Sequence, residues 1–390
     1  MSLRQGLASP RTPLRRFLDR ELSAGSRPLR ATYRARLPTR PLILPGEGVG
    51  YEAGTVGTAI DQRLRLAFTC APPVDAATTA GISACRLITE SSPGRLWQAL
   101  TEVGCQLAEQ ITAIVAELRL DDRRSPMLRA DDAEEHLARM LLASAWYALN
   151  YRNAFAFPDT PLYKSALAAP GEFTLKKLLA LPHRHLVDDM LVQLHATEAG
   201  PLERLRADSA PDGCWSGPTF DGSADVPADG DLIVEGALID VKSTRNVYAF
   251  DLITIHQLLG YTLMDYSDRY RIDMVGVYLT RAAALITWPI EDYLTLLGIR
   301  HRDLAELRAL FAHLLGATDR TGCRADEDPP PGQLADVDQL LAELAPVIAA
   351  GCCRVCAQPL PDRGPGRIRL YCSPWCSRRS ATLRRHRWLD

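Results

Sequence analysis

Apolar residues recur at helical spacing over residues 56–68, 94–119, 132–150 and 174–206, and each such run predicts a helix with one face turned to a core. The period then shortens. From Asp229 to Lys242, two short runs rich in Leu, Ile and Val flank Glu235-Gly236, which reads as a β-hairpin with a two-residue turn in which Gly supplies the positive φ. With that turn, Val234 faces Ala237, Asp231 lies opposite Asp240, and Asp229 opposite Lys242. Strand alternation puts Asp231, Asp240 and Lys242 on one face and Leu232, Val234, Ile239 and Val241 on the other. A helix over 249–266, a hairpin near 271–290 and an amphipathic helix over 291–316 come next. The stretch 317–334, with Asp326-Glu327-Asp328 and three prolines, reads as a linker before a short helix at 335–349. There is no internal repeat.

Like charges directly opposed in a sheet repel, and two carboxylates a few ångströms apart cannot both ionise without a cation between them. A hard divalent ion, Mg²⁺ or Mn²⁺, resolves that conflict, because it takes oxygen ligands, acidifies a bound water and neutralises phosphate charge. Lys242 adds a compact ammonium two residues from Asp240. The chain has 45 Lys and Arg residues but only four lysines, at 164, 176, 177 and 242, a bias that with heavy Ala, Pro and Leu use fits a GC-rich bacterial coding sequence. Retention of Lys at 242 therefore has a chemical reading, since a guanidinium cannot replace a group whose pKa must adjust. The plainer alternative is an exposed strand pair with alternating charge.

These residues resemble a family. Gly230-Asp231-Leu232-Ile233-Val234 and Leu238-Ile239-Asp240-Val241-Lys242 look like motifs II and III of the PD-(D/E)xK nuclease superfamily, and His256-Gln257 through Tyr261 looks like the Gln-x-x-x-Tyr helix of its RecB-like branch. The resemblance covers about residues 215–290. It implies a mixed α/β (α+β), restriction-endonuclease-like αβββαβ core and divalent-metal hydrolysis of phosphodiesters. In it Asp231 and Asp240 would be metal ligands, Lys242 the water-activating group, and Gln257 and Tyr261 supports from one helix face. The branch opens with a Gly-x-x-x-His helix. The nearest match here, Gly57 to Asp61, has Asp in place of His and lies some 170 residues upstream of Asp231, so a large helical insertion is required. Glu198 and Glu203 compete with Asp61 for that role.

A second constellation lies near the C-terminus, where Cys353-x-x-Cys356 is followed after fifteen residues by Cys372-x-x-x-Cys376. Four thiolates so spaced suit tetrahedral Zn²⁺, with the segment 361–366 folding back as a small hairpin. The pattern resembles treble-clef or zinc-ribbon fingers. Cys352 could replace Cys353, and a four-cysteine iron–sulfur cluster or no metal at all are the alternatives. Cys70, Cys85, Cys105 and Cys214 read as buried apolar side chains. His136, His183, His185 and His195 do not share a face that suggests ligation.

Composition narrows the rest. A 390-residue chain with 47% hydrophobic residues holds two or three domains and is not wholly disordered. No apolar run is long enough to span a bilayer and none follows the N-terminus as a secretory signal would, so a cytoplasmic protein is expected. The net charge of −2 hides an asymmetry: residues 1–40 carry ten Arg against Asp19 and Glu21, and residues 351–390 carry nine against Asp362 and Asp390. Two basic arms around an acidic centre fit nucleic acid, DNA more than RNA. A solvated, partly disordered N-terminal tail is the plainer account of the first.

The expected organisation is a basic, partly extended arm (1–50), a mainly helical region (51–210), a nuclease core (211–316), a linker (317–334), and a helix with a four-cysteine zinc finger and basic tail (335–390). The expected function is metal-dependent cleavage of DNA, serving phage defence, repair or mobile-element processing. The alternative is a catalytically inactive nuclease fold that binds DNA or a protein partner through the finger.

Overall fold

A computed structural model describes residues 2–22, 25–39, 41–46, 48–299, 302–316, 324–345, 348–360 and 369–385. It is a mixed α/β protein. Among the described residues eleven α-helices precede the sheet: α1 Leu3–Ala8, α2 Pro13–Glu21, α3 Arg27–Arg36, α4 Ala53–Phe68, α5 Ala76–Ser91, α6 Arg95–Leu118, α7 Asp131–Arg152, α8 Pro161–Ala168, α9 Leu175–Ala180, α10 Arg184–Glu198 and α11 Pro201–Asp208. The sheet is built from β1 Cys214–Ser216, β2 Leu232–Val234 and β3 Ala237–Lys242, then, after α12 Leu252–Met264, from β4 Met274–Leu279 and β5 Ala284–Pro289. Helices α13 Ile290–Leu297, α14 Leu304–Gly316, α15 Leu334–Glu343 and α16 Pro374–Arg385 complete the described elements.

The five strands lie in chain order, antiparallel except that β3 and β4 run parallel across the α12 crossover. Alternation along β2 and β3 sends Leu232, Val234, Ile239 and Val241 into one core, filled by α4 to α11. Ile233 and Leu238 point into a second core, formed by α1–α3, α12–α15 and the C-terminal cysteine segment. Both faces of the sheet are covered. The β2–β3 turn places Glu235 at φ 47° and Gly236 at φ 82°, so both central residues are left-handed, as the I′ turn demands. Glu235 tolerates this while its carboxylate accepts the Ala210 N–H at 2.8 Å. At Gly236 a Cβ would stand 2.9 Å from the Arg271 carbonyl.

Several elements depart from the sequence reading. Among the described residues of 1–50, the partly extended arm expected from sequence is mostly helical: α1, α2 and α3 form, and Leu3, Leu7, Leu14, Phe17, Leu18, Leu29 and Tyr33 are buried. Many of their arginines serve the fold. Arg16 pairs with Asp338, Arg20 with Glu21, and Arg36 donates to the Thr287 carbonyl. The periodic run over 174–206 is three helices, divided near Pro182 and Pro201, because proline removes a helical donor and clashes with the preceding turn. The single helix expected over 291–316 is two, ended at Gly298 (φ 85°). Helix α5, which the period did not pick out, lies so close to α7 that a Cβ on Gly81 would stand 1.9 Å from the Tyr147 carbonyl oxygen. Within the expected linker, Ala325 and Asp326 are buried, and the Ala325 carbonyl accepts from Leu14 N–H at 3.0 Å. Residues 317–323 and the basic tail at 386–390 lie outside the described residues. Among the described residues no helix is long and apolar enough to cross a membrane.

Helix α12 carries one buried group that nothing neutralises. His256 is 1% exposed and neither ring nitrogen has a hydrogen-bond partner. Burial, and then the charge of Arg15, push its pKa down to about 3. The unfolded chain protonates this imidazole near pH 6.5 and the native chain does not, so the stability at stake is present above pH 6.5 and lost as pH falls below it. At pH 5 the loss is about 2 kcal/mol. His256→Leu should shrink the fall in urea midpoint between pH 7 and pH 5, and equal falls in the two proteins would show that His256 is not the sensor.

Candidate active site and cysteine cluster

The open end of the β2–β3 hairpin gathers the acids. The ladder ends at Leu232 and Ile239; Asp231 lies just beyond it, its carbonyl accepting from the Gly217 N–H, and its charge acts on Asp240. Asp231 also makes direct contacts. Its Oδ2 accepts the Val241 N–H at 2.7 Å, locking the carboxylate across the hairpin, and its Oδ1 accepts from Arg65 Nη2 at 2.7 Å. Asp240 is 2% exposed, and the Lys242 ammonium stands 2.6 Å from its Oδ2. That contact takes up Oδ2, while Oδ1 is buried with no hydrogen-bond partner. Burial above all, with help from Asp231 and against Lys242, raises the Asp240 carboxyl to about 6. For Lys242, burial pulls downward, but Asp240 and Asp231 outweigh it and hold the amine protonated.

Helix α12 closes the site from one layer. Gln257 and Tyr261, one turn apart, are joined by an Nε2–H donated to the Tyr261 hydroxyl at 2.6 Å, and Tyr261 stacks on Phe220 with centroids 5.3 Å apart. Burial, then Asp231 and Asp240, keep the phenol protonated far above neutrality. Gln257 Oε1 is buried with no partner.

From the other layer comes α4, and with it Asp61. This residue, 170 positions upstream of Asp231 in the chain, reaches the site through Arg65, one helical turn on: Arg65 Nε donates to Asp61 Oδ1 at 2.9 Å while Nη2 holds Asp231. Arg65 passes beside Gly217 (φ 59°), where a Cβ would lie 3.1 Å from Nη1. Burial first, then Asp231, push Asp61 up to about 8 against the pull of Arg65. Asp229 does not face Lys242. Its carboxylate turns to Arg65 at 3.8 Å and Arg152 at 3.7 Å, because residues 229–231 leave the ladder to pair with 217–219. Glu198 and Glu203 are elsewhere, on the Leu128 N–H and on Arg206.

Sequence reasoning missed Arg65, Arg152 and Arg4. Arg65 stands at i+4 from Asp61, the spacing of an intrahelical pair, and that was its only signal. Exposed Arg4 on α1 and half-exposed Arg152 at the end of α7 lie where their charges act on Asp240 and on Asp61. Beyond Lys242, Ser243 Oγ donates to Gln193 Oε1 at 2.8 Å. Gln193 is tied to Asp189, and Asp189 is clamped by Arg281 at 2.9 and 2.7 Å, so the end of β3 is anchored to α10.

Cys353, Cys356, Cys372 and Cys376 form the other cluster, with their sulfurs all within 4.8 Å of one another. Individual separations are 3.4 Å for Cys356–Cys372, 3.5 Å for Cys372–Cys376 and 3.7 Å for Cys376–Cys356. A tetrahedral Zn²⁺ with Zn–S near 2.3 Å requires sulfurs about 3.8 Å apart, so the donor set fits. Cys352 is not in the group; it pairs by its backbone with Pro359. Cys376 opens α16, whose N-terminal amides favour a thiolate. Backbone N–H groups outweigh burial at Cys353 and bring its thiol down to about 7, whereas burial lifts Cys376 to about 11. The hairpin expected over 361–366 lies outside the described residues. Among those described, the cysteines are the only group of three or more His, Cys, Asp or Glu near enough to share one ion, so His136, His183, His185 and His195 form no such group.

The cluster is built into the second core rather than hung from it. Cys353, Val355, Cys356, Cys376 and Leu383 are buried with α1, α2 and α12, and Arg379 donates to the Asp19 carbonyl. Purified protein should therefore carry about one zinc per chain by metal analysis, and Cys356→Ser should lose it and lower the melting temperature of the whole chain, not of a separate small transition. Unchanged metal content would remove the site. No protein-family model matches the chain, and no curated protein or solved structure is similar to it.

Proposed function

We propose that the chain is a divalent-metal-dependent nuclease that hydrolyses phosphodiester bonds of DNA, with the PD-(D/E)xK arrangement at the hairpin end. The observation that carries this reading is the buried Asp240 carboxylate, with Oδ1 unpartnered and Oδ2 on the Lys242 ammonium, under the charge of nearby Asp231. The succession β1–β2–β3–α12–β4, with α4 alongside, is the order such a core requires. Asp231 and Asp240 would hold Mg²⁺ or Mn²⁺, which when bound supplies an acidified water and neutralises phosphate charge. Lys242 enters as an ammonium, so its part is to orient the attacking water and meet the charge that builds on phosphorus. The protonated Tyr261, fixed by Gln257, retains an O–H to donate. Arg4 and Arg152 at the rim offer charge to the phosphates on either side. Such an enzyme could serve phage defence, repair or mobile-element processing.

A second reading keeps the fold and drops the cutting: a DNA- or partner-binding protein. One observation favours it, namely that Arg65 already neutralises Asp231 and that Asp61 stands behind that guanidinium.

Linear DNA, circular DNA and RNA incubated with Mg²⁺ or Mn²⁺ separate the two. Wild type should degrade DNA only with added divalent ion, and Asp240→Asn and Lys242→Ala should each lose about 10²-fold or more in rate. Intact nucleic acid with wild type, together with a retained gel shift, would establish the binding role instead.

A further inference from the structure

Asp61, Asp229, Asp231 and Asp240 meet Arg65, Arg152 and Lys242 in ion pairs at the hairpin end. Arg65 holds the centre of that arrangement. Its guanidinium, 9% exposed, bridges Asp61 and Asp231 through Nε at 2.9 Å and Nη2 at 2.7 Å, and it cannot give up its proton. Its backbone is fixed too, since Ser216 Oγ donates to the Arg65 carbonyl at 2.8 Å. The result is that, among the described residues, no three acids come near enough to share an ion, although Asp61 is only one guanidinium away from Asp231. Two buried atoms nevertheless lack a hydrogen-bond partner: Asp240 Oδ1 and Gln257 Oε1.

We propose that Arg65 is a resident counter-ion that a divalent cation must displace from Asp231, so that this side chain sets the cation affinity of the site and, on leaving, releases Asp61 as a third oxygen donor. The proposal rests on the reading of Asp231 and Asp240 as cation ligands. Its logic is competition. A permanent charge within hydrogen-bond reach of a carboxylate favours its ionised form, and any cation seeking the same oxygen must compete with that contact. Removing the guanidinium therefore strengthens cation binding, whereas removing a residue that helps to hold the ion would weaken it. An arginine whose only work is to pack α4 against β1 would leave cation affinity alone.

The test measures Mn²⁺ binding directly, by the paramagnetic resonance signal of free Mn²⁺, on zinc-loaded full-length protein without nucleic acid. Arg65→Gln should bind Mn²⁺ about tenfold or more tightly than wild type. Arg65→Lys keeps the charge but cannot bridge two carboxylates, and should fall between them; it carries the test if the glutamine variant does not fold. Adding Asp231→Asn to either variant should abolish the gain. Equal or weaker binding by both Arg65 variants, with wild type binding Mn²⁺, overturns the counter-ion role and leaves the cation site standing. No Mn²⁺ binding by any of the proteins overturns both.

Discussion

The meeting of Asp231 and Asp240 at the end of a hairpin with a two-residue turn is the constraint on which the site depends. The turn is left-handed at both central positions and the ladder beyond it runs in one register to Leu232 and Ile239, which leaves the two acids at its end with their charges acting on each other. Burial then makes that meeting costly, because a low-dielectric surround amplifies repulsion. Each acid is given its own remedy. Asp231 is held by a backbone N–H and a guanidinium, Asp240 by an ammonium alone. The asymmetry matters chemically: Asp231 is the positioned member, while Asp240 retains unused acceptor capacity.

A site at the meeting of two layers depends on both. Tyr261 and Gln257 come from the layer shared with the N-terminal helices and the cysteine cluster, Asp61 and Arg65 from the layer of long helices, and the sheet lies between them. Leu3 of α1 lies against Gly260 of α12, where a Cβ would stand 3.2 Å from a Leu3 methyl. The cysteine segment braces α2 through Arg379 and Asp19. The metal-ready cysteines are thus structurally continuous with the helix that backs the acids.

What the sequence disclosed was what near neighbours determine. A tight turn between alternating apolar runs, cysteines three or four positions apart, and the Gln257–Tyr261 spacing all rest on geometry within a few residues, and each lies in the structure where that geometry puts it. Long-range electrostatics left no such trace. Arg65 and Asp61 are legible as an i,i+4 pair, but the third partner, Asp231, is 166 residues away from Arg65, and only folding shows that one guanidinium serves both carboxylates. The N-terminal helices were hidden by their composition: ten arginines suggest a solvated arm, yet Leu14, Phe17 and Leu18 obey the i, i+3, i+4 rule and drive α2 inward. Helix α5 escaped because its buried face is built of small residues, whose advantage is close approach to α7 rather than apolar bulk.

That reassignment of arginines changes how nucleic acid could be met. Residues spent on Asp338, Glu21 and backbone carbonyls are not free to track phosphates, so the charge excess of the first forty positions overstates the basic surface they present. The cations positioned to matter are fewer and nearer: Arg4, Arg152 and Lys242, whose charges all act on the acidic cluster. Recognition and chemistry would then share one small set of side chains, and the salt dependence of binding would reflect a handful of contacts rather than the nineteen arginines at the two ends of the chain.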